Sequence, residues 1–543
     1  MKKIPYGITN YKTLIEEDYY YVDKTMYLEK LEDVGSVLVY LRPRRFGKTL
    51  FTSMMEYYYD VNSKDIYDNL FKDTYVYKNP TKNKNNYYIL KFDFSGISFY
   101  DETNEAAMKQ FNFEVSTKIS QFLNQYNISY KLYKTDNPSD TLLYFLSYFK
   151  SLNLNHKIYL MIDEYDHFVN GLLSSSNTSF YQTILGENGF VKDFYRTINK
   201  FSDSVIERVY LTGVCSVSLD TVTHGILNIV NISSEYIFNS MTALTHEEVK
   251  YLLKEIPNKD NHYHTIIKNY EGYLFHGKAE EKVFNPTLIM YYLNYAKHGL
   301  ERLNLMDPNI ISSYHQIQYI ASLGNDKEIL HDILYHGEVV SSLTLKIPLT
   351  AKYYKRDVVS LLYYLGYLSI QDFKDSKYHF VIPNQCMKRF YAEYYLSILK
   401  SDLKKSYDKE EIDLVHEVYE DGKLNKLCEY ISQLLKDIDN QTFSNYTEKD
   451  LQIILYIILF RYSAFDVYLE YSINNNFIDL AIFTKKYNYL VELKYIKEKD
   501  KKSYDEVYQK AKEQIKKYTI HKDNLRKYII IFTGSHYMLE EIM

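Results

Sequence analysis

The chain has no tryptophan in 543 residues, and only 17 glycines, 9 prolines and 3 cysteines. Beside 62 tyrosines this scarcity reads as the codon bias of an A/T-rich genome, not as a functional signal. The cysteines, Cys215, Cys386 and Cys428, are odd in number and far apart, with no C-x-x-C pair. That argues against a disulfide framework or a zinc site and for a reducing compartment. Long apolar runs are missing too: Leu451–Phe460 is among the longest and is too short to span a bilayer. The opening Met1–Gly7 lacks a signal-peptide apolar core. The expectation is a soluble intracellular protein with no membrane partner, cytoplasm and nucleus not being distinguished. An excess of positive charge is absent as well. The net charge of −5 excludes a uniformly basic nucleic-acid coat while leaving room for local patches. What is present, 46% hydrophobic and 25% charged residues, is globular composition. The length suggests about three to four domains at ~150 residues each.

The most informative stretch is Ser36–Asp60. An apolar run, Val37–Leu41, leads into Arg42-Pro43-Arg44-Arg45-Phe46-Gly47-Lys48-Thr49 and then a helical pattern from Leu50. Strand, tight loop and helix are the setting of a phosphate-binding loop, with N–H groups and the helix dipole directed at an anion. In that reading Lys48 reaches the β- and γ-phosphates, Thr49 holds Mg²⁺, and Gly47 lets the backbone approach. Arg42 stands where G-x-x-x-x-G-K-[ST] has its first glycine. The crowding of Arg42, Arg44 and Arg45 suggests a polyphosphate to neutralise them. The plainer alternative is a basic strand-to-helix turn that contains Gly-Lys-Thr.

A second apolar run ends in acid: Lys157-Ile158-Tyr159-Leu160-Met161-Ile162-Asp163-Glu164-Tyr165-Asp166. Asp163 is placed to bind the Mg²⁺ and Glu164 to orient and deprotonate the attacking water. A solvated strand end would read the same way without Gly47-Lys48-Thr49 upstream. Thr212, closing the strand Val205–Gly213, either senses the γ-phosphate between the acids or is an ordinary strand-terminal threonine. Strands separated by helices predict a parallel sheet covered on both faces and ending near residue 240. The box at Thr245–Glu248 predicts the helix His246–Lys254.

Near the C-terminus the pattern reads helix Leu451–Arg461, strands Phe465–Ser472, Phe477–Phe483 and Tyr487–Tyr495, helix Ser503–Tyr518 and strand Tyr528–Phe532, with a turn at Asn474-Asn475-Asn476. Alternation puts Glu492 and Lys494 on one strand face, and a neighbouring strand can bring Asp479 beside them. Two carboxylates suit Mg²⁺, which activates water toward a phosphodiester, and Lys494 would stabilise developing charge. Glu470 is a further candidate ligand. The alternative is an exposed charged strand face. The basic residues Lys497, Lys499, Lys501, Lys502, Lys510, Lys512, Lys516, Lys517, Arg526 and Lys527 are either a phosphate-binding face or a solvated one.

Read together, R-P-R-R-F-G-K-T at Arg42–Thr49, Gly7–Tyr11, Tyr21–Thr25, I-D-E-Y-D at Ile162–Asp166 and L-T-G-V at Leu211–Val214 resemble the AAA-ATPase-like proteins that carry a C-terminal PD-(D/E)xK nuclease-like domain. In that family arginine replaces the first glycine, so the loop as a whole, Arg42, Arg44, Arg45, Phe46, Gly47, Lys48 and Thr49, is implied to bind nucleotide. Gln514 and Tyr518 resemble the family's Q-x-x-x-Y element, which implies that Gln514 orients the second site. The family's proline before the first acid is Ile478 here.

The resulting expectation is an α/β protein. A P-loop ATPase with a parallel sheet (1–240) is followed by a helical lid (241–344) and a winged-helix-like region (345–398). A helical linker (399–447), with Lys400–Glu411 as its connector, leads to an αβββαβ PD-(D/E)xK nuclease-like domain (448–543). The winged-helix-like region either binds DNA or packs as a scaffold. ATP and Mg²⁺ are the cofactors. DNA or RNA and a further copy of the chain are the partners this reading allows. The function is ATP-controlled, Mg²⁺-dependent action on nucleic acid; the alternative is a nucleotide-switched interaction protein with an inactive nuclease fold.

Overall fold

The computed structural model describes residues 2–97, 103–133, 135–167, 178–186, 189–202, 204–216, 226, 228–299, 305–307, 327–347, 353–401, 408–437, 447–462, 464–473, 476–496 and 504–542. The chain divides into two units, Met1–Leu330 with Glu338–Gln385, and His331–Gly337 with Cys386–Met543. Among the described residues no helix is long and apolar enough to cross a membrane.

The N-terminal unit is built on five parallel strands: β1 (Val37–Leu41), β2 (Tyr87–Asp93), β3 (Lys157–Asp163), β4 (Ile206–Gly213) and β5 (Val230–Asn231). Their order is β2-β3-β4-β1-β5. β4 therefore lies between the loop-bearing strand β1 and the acid-tipped strand β3. β1 is buried throughout, as a strand covered on both faces must be. The helix Lys48–Tyr59 packs Phe51, Met54, Met55, Tyr58 and Tyr59 into a core shared with Leu38, Tyr40 and Tyr159. Tyrosine does the work of larger apolar residues there and keeps its hydroxyl satisfied at the core's edge. Tyr11 donates to Leu70 O at 2.9 Å and Tyr59 to Glu32 Oε1 at 3.0 Å.

Beyond the sheet, Thr245 and Glu248 form the expected capping box on the helix His246–Leu253. Asn285 caps Pro286–Ala296, with proline in the first turn. Two short strands, β6 (Glu271–Tyr273) and β7 (Val283–Phe284), pair antiparallel. A three-stranded antiparallel sheet joins β8 (Glu338–Ser341), β10 (Lys377–Val381) and β9 (Ser369–Lys374). β9 and β10 meet at Asp375 and Ser376, both with left-handed backbone (φ 50° and 61°). The helix Lys355–Tyr364 ends before Gly366, whose φ is +82°. A Cβ added to Gly366 would lie 2.7 Å from Pro43 Cβ, so glycine allows this element to close on the loop that follows β1.

In the C-terminal unit the helix Glu448–Phe460 precedes β11 (Asp466–Ile473), β12 (Asn476–Phe483) and β13 (Asn488–Ile496), then the helix Tyr504–Lys517 and β14 (Leu525–Thr533). This is the expected order, followed by one strand not expected, β15 (His536–Ile542). The sheet runs β11-β12-β13-β14-β15, parallel only between β13 and β14, which the helix Tyr504–Lys517 connects. Asn474-Asn475 of the expected turn and Lys497, Lys499, Lys501 and Lys502 lie outside the described residues. The stretch read as a connector around Lys400–Glu411 is helical from Asp408 to His416. Its Glu411 is buried and accepts from Arg461 at 2.8 Å, so this part packs within the unit.

Candidate functional site

Two clusters of charged side chains stand out, one in each unit. In the N-terminal unit Gly47 takes φ +78° and opens the helix Lys48–Tyr59, leaving the first N–H groups of that helix without intrahelical partners. Lys48 is 4% exposed. Its ammonium donates to Arg42 O at 3.0 Å and Pro43 O at 3.3 Å and lies 3.6 Å from Glu164 Oε1. Asp163, 1% exposed, accepts a short hydrogen bond from Thr212. The insertion of β4 between β1 and β3 makes that contact, because Tyr40 pairs with Thr212 on one side and Ile162 with Leu211 on the other. Burial raises the Asp163 carboxyl above its ordinary range, and the Thr212 bond opposes the rise. Glu164 adopts a left-handed backbone at φ 53°, a strained geometry for a side chain of this kind.

Three of the loop residues expected to bind nucleotide, Arg42, Arg45 and Phe46, have partners within the protein. Arg42 is 1% exposed, and its guanidinium donates to Leu41 O (2.8 Å), Ser233 O (2.6 Å) and Phe238 O (2.9 Å). It also lies over the rings of Phe275 (3.9 Å) and Tyr40 (4.5 Å). Arg42 is thus a clamp that ties the loop's base to backbone carbonyls, and both of its terminal nitrogens are already engaged. Phe46 is fully buried, edge-on to Tyr273 and Phe275, and is a packing residue. Arg45 has φ 68° and pairs at 3.3 Å with the buried Asp307, which also accepts from Tyr6 at 2.9 Å. Of the crowded arginines, Arg45 thus has a carboxylate within the protein and Arg42 has backbone acceptors. Arg44 alone of the three is exposed, and its charge reaches His167 together with that of Glu164. Thr49 is half-buried in the first turn of the helix.

Asp166 was legible only as part of a run of acids. It is fully buried and accepts from Val214 N (3.1 Å) and Cys215 N (2.7 Å), which fastens the turn after β4. Burial and the nearby Glu164 raise its carboxyl to about 6. Gly213 has to be glycine here, since a Cβ would meet the Tyr165 ring at 2.5 Å. A cavity of about 90 Å³ opens beside the loop, lined by Gly47, Leu50, Tyr20, Met241, Thr242 and Met290.

In the C-terminal unit the carboxylates of Asp479 and Glu492 come together as the alternation implied. They converge on the Lys494 ammonium, 2.9 Å from Glu492 Oε1 and 3.2 Å from Asp479 Oδ2. Asp479 also accepts from Leu493 N at 2.7 Å. A carboxylate that the sequence reading missed, Glu448, lies 3.2 Å from the same ammonium and accepts from Tyr495 N at 3.3 Å. The signal for it was the capping box of Thr447 and Asp450, which fixes where the helix Glu448–Phe460 begins. Glu492 is 1% exposed, and its Oε2 has no hydrogen-bond partner. Burial, then the Asp479 charge, raises the Glu492 carboxyl to about 7. Burial alone would lower the Lys494 ammonium, but Asp479, Glu492 and Glu448 hold it above its ordinary value.

Glu470 faces Tyr335, which donates to its Oε1 at 3.0 Å. Gln514 is exposed on the helix Tyr504–Lys517, whereas Tyr518 is buried and donates to Phe477 O at 2.6 Å. Lys510, Lys516 and Lys517 are exposed, while Lys512 and Arg526 pair with Glu540 and Glu541. Among the described residues no three acid, imidazole or thiol side chains already surround a common point as metal ligands. The orphaned, buried Oε2 of Glu492 and the cation held by three carboxylates are nevertheless the donor chemistry a hard divalent ion takes.

Comparison with known proteins agrees with this division. Residues 5–223 match the model of the AAA-ATPase-like family, described as a predicted AAA-ATPase, and residues 446–541 match a PD-(D/E)XK nuclease superfamily model. An uncharacterized protein in the vnfD 5′ region of Azotobacter chroococcum mcd 1 is 24% identical over 287 residues, 52% of this chain and 50% of that protein. The match thus spans about half the length of this relative. The chain carries an AAA-ATPase-like domain followed, at its C-terminal end, by a domain of the PD-(D/E)XK nuclease superfamily.

Proposed function

We propose that the N-terminal unit binds and hydrolyses ATP and that its nucleotide state controls Mg²⁺-dependent cleavage of DNA or RNA at the C-terminal cluster. The observation that carries the first half is the approach of Lys48 to Glu164, with the Thr212–Asp163 pair on the adjoining strands. Lys48 binds the β- and γ-phosphates, Arg44 meets the phosphate charge from the open side of the loop, and Glu164 orients the attacking water and takes its proton. The cavity beside Gly47 receives the base. Thr49 and Asp163 would hold one Mg²⁺, and Asp479, Glu492 and Glu470 another; the ion neutralises phosphate charge and acidifies water. At the second site Lys494 keeps the carboxylates together in the absence of a metal and stabilises charge on the cleaved phosphodiester. The lid, winged-helix-like and linker divisions at residues 241, 345 and 399 belong to this proposal.

Lys48→Ala tests the loop: ATP affinity unchanged from the parent refutes the assignment. Glu164→Gln should keep ATP binding and lose turnover by about a hundredfold or more. Nuclease action is tested by Mg²⁺-dependent cleavage of DNA and RNA by the parent, Glu492→Ala and Lys494→Ala. The exposure of Gln514 favours the second reading, a nucleotide-switched protein that binds without cutting. Absence of cleavage by the parent, with nucleic-acid binding retained, selects it.

A further inference from the structure

We infer that Tyr335 is a positioning residue of the C-terminal site: its hydroxyl holds Glu470 beside Asp479 as an additional carboxylate facing a bound divalent cation. The inference rests on the metal-binding reading of that site and adds to it a residue from outside the matched stretch 446–541. Tyr335 stands in the last turn of the helix Lys327–His336, and residues His331–Gly337 belong to the C-terminal unit although they are distant from it in sequence. The hydroxyl donates to Glu470 Oε1 at 3.0 Å. The Lys449 ammonium lies 4.3 Å from the centre of the Tyr335 ring and fixes that ring from one face.

Glu470 is itself unusual. It takes a left-handed backbone at φ 47° inside strand β11. The flanking pairs Leu469–Leu480 and Tyr471–Ile478 place it across from Asp479, so the two carboxylates come from directly opposed positions. A strained residue with like charge opposite does not hold such a place without a partner, and the tyrosine hydroxyl is that partner.

The test is calorimetric titration of the full chain with Mn²⁺, without nucleotide. Binding at this site is defined as that removed by Asp479→Asn. Tyr335→Phe should weaken it about tenfold, as loss of an orienting partner typically does. Glu470→Gln should weaken it comparably, and the double variant should lose no more than the weaker-binding single variant. Parental Mn²⁺ affinity in Tyr335→Phe overturns the inference, as do additive losses in the double variant. A lowered thermal midpoint with unchanged affinity overturns it in favour of a packing role. Absence of any Asp479-dependent Mn²⁺ binding in the parent defeats the underlying metal reading, which is a different failure.

Discussion

Glu492 offers the sharpest test of the C-terminal cluster because its environment works against its charge. Its side chain is 1% exposed, so solvent screening does not soften the effect. Burial and Asp479 move its carboxyl from 4.5 to about 7. A raised carboxyl means that the folded state binds the proton more tightly than the unfolded state. Stability is then complete below pH 4.5 and falls as pH rises through about 7. A tenfold difference in proton affinity is worth about 1.36 kcal/mol, so between pH 5 and pH 8 the loss from this residue is on the order of 2 to 3 kcal/mol. Glu492→Gln, a neutral side chain of the same shape, removes that loss. Lys494 does not contribute to this slope, because its raised ammonium titrates far above the window. The measurement is urea unfolding of the full chain and of Glu492→Gln at pH 5, 6, 7 and 8, followed by tyrosine fluorescence and circular dichroism. The stability of the variant relative to the parent should grow by roughly 2 to 3 kcal/mol across this range. Mg²⁺ at pH 8 should stabilise the parent more than the variant, since an ion that binds only the folded carboxylate reverses the penalty. Parallel pH profiles for the two proteins would refute the reasoning, because Glu492 would then be either solvated or fully compensated.

Three further outcomes follow from the N-terminal unit. Arg42→Ala leaves three backbone carbonyls without their charged donor and should cost about 3 kcal/mol or more of stability, read by urea unfolding; a loss of ATP affinity without loss of stability would restore Arg42 to the binding site. Thr212→Val removes the hydrogen bond that lowers the Asp163 carboxyl, so the acid limb of the ATP turnover profile should move to higher pH, and an unmoved limb counts against the contact. Gly366→Ala forces a Cβ to 2.7 Å from Pro43 at a φ of +82°, and its thermal midpoint should fall by several degrees; an unchanged midpoint would mean that the helix and loop part at little cost.

Local pattern sufficed for the elements that bear the candidate site residues. Gly47-Lys48-Thr49 after a buried strand, the acids ending β3 and the alternation of Glu492 with Lys494 are each written within a few consecutive residues. Backbone periodicity places such side chains before any tertiary contact is known. The capping box at Thr245 belongs to the same class, since a cap acts over three residues; the one at Thr447 is equally local but went unread, and the helix was expected only from Leu451. β15 escaped notice because His536–Ile542 mixes polar with apolar residues without clean alternation and is mostly exposed or half-buried, as an edge strand is.

The amino-acid sequence by itself determined which residues are candidates to bind phosphate or metal and on which strand or helix each sits. Tertiary structure alone decided which of them are at liberty to do so. Arg42 finds its acceptors at Ser233 and Phe238, Arg45 its carboxylate at Asp307, Lys494 a third carboxylate at Glu448, and Glu470 its donor at Tyr335. Each partner lies tens to hundreds of residues away in the chain. A charge is indifferent to sequence distance: what it meets is set by how strands are ordered and helices packed, and a buried charge takes the partner that packing supplies.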